Sequence, residues 1–260
     1  MALLECEELR ISFGGLVAIN QVDFSIHPGE VVGLIGPNGS GKTTFFNLIT
    51  GIYRPSDGKM LFKNQPLIGR SPAEISRMGM SRTFQRSRLF LELSVLDNVL
   101  SGMCYHAHSG LLDAVFRKKK LLRAMEPRIN QAATLLNYFS DELGSSLNRK
   151  AGDLPLADRR RLEICRALAN DPDLLLLDEP SAGMDPEETR ILMEDIEKAR
   201  RRKPEIAIIV IEHDLTVIQG IAQRVVVLNY GQKIAEGPFR EVAEDPGVRQ
   251  AYLGKVEVRA

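Results

Sequence analysis

Between an apolar run, Val31-Val32-Gly33-Leu34-Ile35, and a helix-compatible stretch, Thr44 to Thr50, the chain reads G-P-N-G-S-G-K-T-T from Gly36 to Thr44. The segment matches the phosphate-loop pattern G-x-x-x-x-G-K-[ST] at every fixed position, with a strand expected before it and a helix after it. Gly36, Gly39 and Gly41 let the backbone take positive φ angles and come close to an anion. Successive N–H groups then line a concave nest at the positive end of a helix dipole. The expected nucleotide-binding set is Gly36, Pro37, Asn38, Gly39, Ser40, Gly41, Lys42, Thr43 and Thr44. Lys42 puts a point charge on the β- and γ-phosphates, and Thr43 offers its hydroxyl to Mg²⁺. The segment predicts a strand–loop–helix unit that holds a nucleoside triphosphate.

Composition narrows what such a unit belongs to. The 260 residues suit one large domain or two small ones, and a hydrophobic content of 44% suffices for a packed core. Lys+Arg and Asp+Glu are both 34, so no bulk charge points to nucleic acid or to an anionic membrane surface. No apolar run approaches the ~18 residues that span a bilayer. The start, M-A-L-L-E-C-E-E, is acidic and lacks the basic beginning of a signal peptide. Cys6, Cys104 and Cys165 are odd in number and far apart, without disulfide-framework or zinc-site spacing, which points to a reducing cytosol.

Along the chain, residues 3–13 and 17–27 alternate apolar and polar around Gly14-Gly15 and predict an antiparallel hairpin. Residues 58–69 contain short strand-like pieces with Asn64-Gln65-Pro66 as a turn. Ser71-Pro72-Ala73-Glu74 predicts a helix start with a capping box and proline at the first helical position. Residues 94–145 are largely helix-compatible, punctuated further on by Pro127, Gly144 and Gly152. They carry the basic run Arg117-Lys118-Lys119-Lys120, which suits a solvated helix face more than a contact with phospholipid or a partner. From 153 to 252 helix-like and strand-like segments alternate, and Asp173–Leu177, Glu205–Ile211 and Arg224–Leu228 are short apolar runs of the parallel-sheet type. The expectation is an α/β core at both ends of the chain with a mostly helical insert between them.

Other motifs carry chemistry. Leu174-Leu175-Leu176-Leu177-Asp178-Glu179 is an apolar strand ending in two acids; beside a phosphate loop, the aspartate supports Mg²⁺ and the glutamate polarises an attacking water. Gln85, in Arg82-Thr83-Phe84-Gln85, can reach both Mg²⁺ and that water, although alone it reads as an ordinary polar loop residue. His213, after the apolar strand ending at Ile211, alone reads as structural. Asp185-Pro186-Glu187-Glu188 is a good helix start, with Asp185 as N-cap and Pro186 at the first position.

Taken together and in this order, these elements resemble the ATP-binding-cassette (ABC) ATPases over essentially the whole chain. The resemblance implies a P-loop core with an antiparallel β subdomain (about 1–90 and 170–260) and an inserted helical subdomain (about 91–169), all one ATPase domain. It implies that Phe13 stacks on adenine and that Gln85 senses the γ-phosphate and couples to a membrane subunit. It also implies that Asp178 supports Mg²⁺, Glu179 activates water, Asp185 communicates across a dimer and His213 holds the γ-phosphate. Metal ligation falls to Thr43, Gln85 and Asp178, partly through water. An aromatic face beside a phosphate loop suits a purine on physical grounds as well. Phe13-Gly14-Gly15-Leu16-Val17-Ala18, Arg82–Gln85, the long insert, Arg161-Leu162-Glu163-Ile164 and the stretch from Ile234 through Gly254 look like the LivG-type subunits of branched-chain amino acid importers. That likeness implies a peripheral subunit on the cytoplasmic face of the cell membrane. It also implies a second ATPase chain, two membrane permease chains and an external substrate-binding protein, with ATP and Mg²⁺ as cofactors. It leaves open whether the solute is a branched-chain amino acid, an amide, urea or an aromatic acid.

One segment departs from the family. Where an L-S-G-G-Q signature is expected, the chain has Leu154-Pro155-Leu156-Ala157-Asp158. Pro155 has neither hydroxyl nor N–H, Leu156 and Ala157 replace glycines, and Asp158 adds negative charge near a triphosphate, at a cost on the order of 1–4 kcal/mol per contact at ~4 Å. A heterodimer with a second ATPase whose signature is intact is therefore expected, unless the N–H groups at the helix start suffice. Competing classes are a soluble ABC ATPase on nucleic acid or ribosomes, a P-loop GTPase or kinase, and a binding-only regulatory subunit. The chain lacks paired cassettes and long coiled coils, and it lacks N-K-x-D, with Asp141-Glu142-Leu143-Gly144 matching D-x-x-G only in a helical region. Glu179 argues against a subunit that has given up hydrolysis.

Overall fold

The computed structural model describes residues 1–85, 87–103 and 118–253. They divide into two compact units, one made of Met1–Gln85, Asp173–Ala182 and the chain from Ala199 onward, the other of Arg86–Pro172 and Gly183–Lys198.

In the first unit, β1 (Leu4–Phe13) and β2 (Leu16–Ile26) form the expected antiparallel hairpin, Phe13 opposite Leu16. With β4 (Asp57–Phe62) and β5 (Gln65–Pro66) they make a four-stranded sheet ordered β2-β1-β4-β5. The turn expected at Asn64-Gln65-Pro66 sits earlier: Phe62 pairs with Gln65, and Lys63 and Asn64 are the two loop residues, at φ 52° and 61°. Two-residue hairpins whose twist matches their strands need positive φ at both positions, and this sets the register.

The second sheet is ordered β10-β9-β3-β8-β7-β6. Its strands are β3 (Val31–Ile35), β6 (Met80–Arg82), β7 (Leu174–Asp178), β8 (Ala207–Ile211), β9 (Arg224–Asn229) and β10 (Gln232–Gly237). Only the β9–β10 pair is antiparallel. Every residue of β3, β7 and β8 is buried, as continuous apolar runs in a parallel sheet require. Helix α1 (Lys42–Ile49) buries Phe45, Phe46, Leu48 and Ile49 in the same core as residues of both sheets. Helix α2 (Pro72–Arg77) starts with the expected capping box: Ser71 accepts from the Glu74 N–H, and the Glu74 carboxylate accepts from the Ser71 N–H.

The second unit is helical: α3 (Val95–Gly102), α4 (Lys118–Phe139), α5 (Asp141–Ser145) and α6 (Leu156–Leu168), with most of α7 (Pro186–Arg202). Pro127, read as punctuation, lies inside α4. A proline costs a helix interior about 3 kcal/mol. Here Ala132, Leu135, Leu136 and Phe139 bury one face at helical spacing and carry the helix past it. The D-x-x-G match at 141–144 lies in α5, which is no nucleotide loop. Asp195, fully buried, holds Arg161 at 2.6 Å, and Arg161 also donates to the Phe139 carbonyl. The side chains of Arg117–Lys120, and Cys104, lie outside the described residues; Cys6 and Cys165 are buried. Helices α8 (Leu215–Ile221), α9 (Phe239–Glu244) and α10 (Pro246–Leu253) belong to the first unit.

Candidate functional site

The phosphate loop leaves the buried end of β3 and enters α1. Gly36 (φ 148°) is packed so closely that a Cβ would stand 2.1 Å from the Leu228 carbonyl, whereas at Gly39 (φ 77°) a Cβ would meet nothing within 4 Å. One glycine is therefore required by the protein behind the loop, and the other leaves the backbone open on the ligand side. Lys42 is buried and donates to the carbonyls of Gly36 (2.7 Å) and Pro37 (3.0 Å). Burial lowers its pKa from the usual lysine range, and the carboxylates of Glu179 and Asp178 oppose that shift.

In front of the loop lies an open cleft of about 480 Å³. Of the expected site residues, Phe13, Asn38, Gly39, Ser40, Gly41, Lys42, Thr43, Thr44, Gln85, Glu179 and His213 line it. Gly36 and Pro37 stand behind the loop as acceptors for Lys42, and Asp178 is buried at the end of β7. The Glu179 carboxylate is held from both sides: Gln85 Nε2 donates to Oε2 at 2.9 Å, and His213 Nε2 stands 2.9 Å from Oε1. Glu179 has φ 49° and donates its N–H to the Ile211 carbonyl, so the turn after β7 is pinned to the end of β8. A residue of this size in the left-handed region is strained, and such strain gathers at functional sites.

Phe13, at the tip of the β1–β2 hairpin, is 45% exposed and pairs edge-to-face with Tyr53 at 5.1 Å between ring centres. The cleft wall includes residues that the sequence reading missed: Leu16, Val17, Ala18, Tyr230 and Gly231. Tyr230 and Gly231 are the two loop residues of the β9–β10 hairpin, and the only available signal was a tyrosine-glycine pair between two strands.

Hard oxygen donors suit Mg²⁺, and the site has them in the Thr43 hydroxyl, the Asp178 carboxylate and the Gln85 amide. Among the described residues, Asp178 Oδ1 and Ser40 Oγ are buried side-chain oxygens without a hydrogen-bond partner. Oδ2 of Asp178 is already taken by Arg82. An orphaned carboxylate oxygen beside a phosphate loop is what a bound cation with its waters would satisfy.

Two other expectations meet a definite outcome. Asp185 is the N-cap of α7: the Glu188 N–H donates to its carboxylate at 2.8 Å, and the Glu188 carboxylate accepts from the Asp185 N–H at 3.0 Å. Asp158, expected to add charge near a partner's triphosphate, is instead turned into its own unit, 7% exposed and 3.6 Å from Arg161. Burial and the nearby Glu142 raise its pKa against the opposing Arg161.

A glycine-rich phosphate loop on a mostly parallel sheet, a paired acid at a strand end and an inserted helical unit define a P-loop nucleotide-binding cassette. A profile of the ABC transporter family matches residues 19–182, and one described as "Branched-chain amino acid ATP-binding cassette transporter" matches residues 232–258. The chain belongs to the ABC transporter family, as one of its ATP-binding subunits. It is 41% identical over 253 residues to the high-affinity branched-chain amino acid transport ATP-binding protein LivG of Escherichia coli (strain K12), covering 97% of this chain and 98% of that one. It is 37% identical over the same shares to BraF of Pseudomonas aeruginosa, a protein of the same description. Among solved structures it resembles a nucleotide-free ATP-binding cassette from an ABC transporter, with a TM-score of 0.83 and 32% identity over 98% of this chain and 100% of that one. It also resembles the ADP conformation of MJ1267, an ATP-binding cassette of an ABC transporter, with a TM-score of 0.82 and 31% identity over the same shares.

Proposed function

We propose that this chain is the ATP-hydrolysing motor subunit of a membrane importer for branched-chain amino acids or related small amphipathic solutes. The observation that carries the reading is the Glu179 carboxylate, held between Gln85 and His213 at the mouth of the phosphate-loop cleft. The named relatives and the C-terminal profile support the solute class.

In this reading Phe13 stacks on adenine, and the loop N–H groups from Asn38 to Thr44 cradle the phosphates. Lys42 exchanges its loop carbonyls for phosphate oxygens. Thr43 and Asp178, with Gln85, hold Mg²⁺, which when bound neutralises charge on the β- and γ-phosphates. Glu179 takes a proton from the attacking water. Gln85 and His213 fix the carboxylate and read the γ-phosphate beside it.

The chain acts at the cytoplasmic membrane face, with two permease subunits and an external binding protein. No helix among the described residues is long and apolar enough to cross a membrane, which suits a peripheral subunit. The second ATPase is a different chain. This is supported by Pro155, which caps α6 without a side-chain hydrogen bond, and by Leu156, which stands exposed where the family has small residues.

The test is ATP hydrolysis by the purified chain alone, with the second ATPase, and as Glu179→Gln. Activity that needs the partner and is lost with Glu179→Gln is the expected result. A preference for GTP, or indifference to Glu179→Gln, would overturn the reading.

A further inference from the structure

Arg82 ends β6, and its side chain is only 6% exposed. Its guanidinium divides its donors between two elements. Nη2 holds Asp178 Oδ2 at 2.7 Å, while Nη1 donates to Asn47 Oδ1 at 2.7 Å and reaches Thr50 Oγ1 at 3.4 Å. Asn47 lies in α1 and Thr50 is its C-cap, so the same group touches the helix that grows out of the phosphate loop. The guanidinium carbon lies 5.2 Å from the Phe46 ring centre and 5.0 Å from that of Phe84. The next residue, Thr83, accepts the Asp178 N–H on its hydroxyl at 3.2 Å.

A buried ion pair is a poor way to gain stability, because desolvating two charges consumes most of what their attraction returns. A rigid planar guanidinium can, however, hold an acceptor on each arm at a fixed separation, as it does Asp178 Oδ2 and Asn47 Oδ1. Here it ties down one oxygen of Asp178 and leaves the other, Oδ1, without a partner. We infer that Arg82 is a positioning residue for the metal-binding carboxylate: by bridging Asp178 to α1, it presents Oδ1 in a fixed place relative to the phosphate loop. The inference deepens the function proposed above and rests on it. Three residues after Arg82 on the same segment, Gln85 holds Glu179, so a shift of residues 82–85 disturbs both carboxylates together.

Simple electrostatics and positioning make opposite predictions for removal of the arginine. If its charge merely opposes the cation, removal strengthens the response to Mg²⁺; if it positions Asp178, removal weakens it. The experiment measures binding of a fluorescent ATP analogue to the full chain in EDTA and in excess Mg²⁺, and takes the ratio of the two affinities. Groups that hold a metal ligand from behind are worth 10–100-fold, so Arg82→Met is expected to cut the ratio about tenfold while the EDTA affinity stays within about twofold. Arg82→Lys keeps the charge but has no fork to span Asp178 and α1, and is expected to restore the ratio only in part. It also decides the matter if Arg82→Met does not fold. Equal losses with and without Mg²⁺, or a ratio unchanged or enlarged in the folded variants, would overturn the inference alone. A wild-type chain that gains nothing from Mg²⁺ would overturn the metal reading and this inference with it.

Discussion

His213 Nε2 stands 2.9 Å from Oε1 of Glu179. A carboxylate only accepts, so in this contact the imidazole carries its proton on Nε2 and points it at the base. With Gln85 on the other oxygen, the carboxylate has little freedom to rotate. Glu179→Gln keeps the shape and removes the base, so turnover is expected to fall about 10²- to 10⁴-fold with nucleotide affinity retained. His213→Ala releases one side of the carboxylate and removes a group that reads the γ-phosphate, so it is expected to lower turnover and to weaken ATP binding more than ADP binding. Single-turnover hydrolysis measured beside equilibrium binding separates the two effects.

Phe13 and Tyr230 line one cleft but are built differently. Phe13→Ala removes an exposed stacking face and is expected to weaken nucleotide binding by about 1–3 kcal/mol, with Phe13→Tyr near wild type. Tyr230 is 86% exposed and sits at φ 45° in a two-residue hairpin, a position that favours asparagine or glycine. Its strain costs on the order of 1 kcal/mol and no packing offsets it. Tyr230→Asn is therefore expected to raise the melting temperature and, at the same time, to weaken nucleotide binding. A raised melting temperature with unchanged nucleotide affinity would show that the tyrosine takes no part in binding.

How much of this was legible in the sequence depends on whether the cause is local. The phosphate loop, the capping box at Ser71 and the apolar strands ending at Leu177, Ile211 and Leu228 follow from residue type and spacing, and their elements lie within a residue or two of the expected ranges. Gly183–Lys198 groups with the helical unit, where Asp195 holds Arg161 and Lys198 donates to the Phe139 carbonyl, which no local pattern announces. The turn falls at Lys63-Asn64 and not at Asn64-Gln65-Pro66 because strand pairing, Phe62 with Gln65, decides the register. The sequence assigns Arg82 no role of its own; only the fold brings Asp178, Asn47 and two phenyl rings around it. Asp158 was misread for the converse reason, since helix phase turns it inward toward Arg161.

That inward turn sharpens the test of the signature segment. Asp158 is left in place, because its carboxylate is part of its own unit. Pro155→Ser, Leu156→Gly and Ala157→Gly together restore a hydroxyl and two open N–H groups at the start of α6. Paired with the second ATPase, this triple variant is expected to raise hydrolysis at the partner's nucleotide and to leave this chain's own site unchanged. The sites are told apart by inactivating each glutamate base in turn. Unchanged turnover at the partner's site would mean that the helix-start N–H groups already suffice.

Asp173, which leads into β7, holds Lys203 at 2.7 Å through Oδ1 and pairs with Lys63 through Oδ2. Burial pushes its pKa up, but the two lysines outweigh that and hold it below the ordinary value of 3.8. A carboxylate with a lowered folded pKa contributes stability that is present above the unfolded value and is lost as pH falls through the folded one. Asp173→Asn is thus expected to cost about 1 kcal/mol at pH 7, a small figure because the group is partly solvated and screened. Urea titrations of both proteins should show a gap in midpoint that is constant down to about pH 5 and closes as the pH is taken below 3.8. High salt at pH 7 should narrow the same gap, since both lysines reach the carboxylate from the solvent side. A gap that persists unchanged at low pH would assign the loss to packing and would remove the two ion pairs from the account of how β7, and with it Asp178 and Glu179, is held in register.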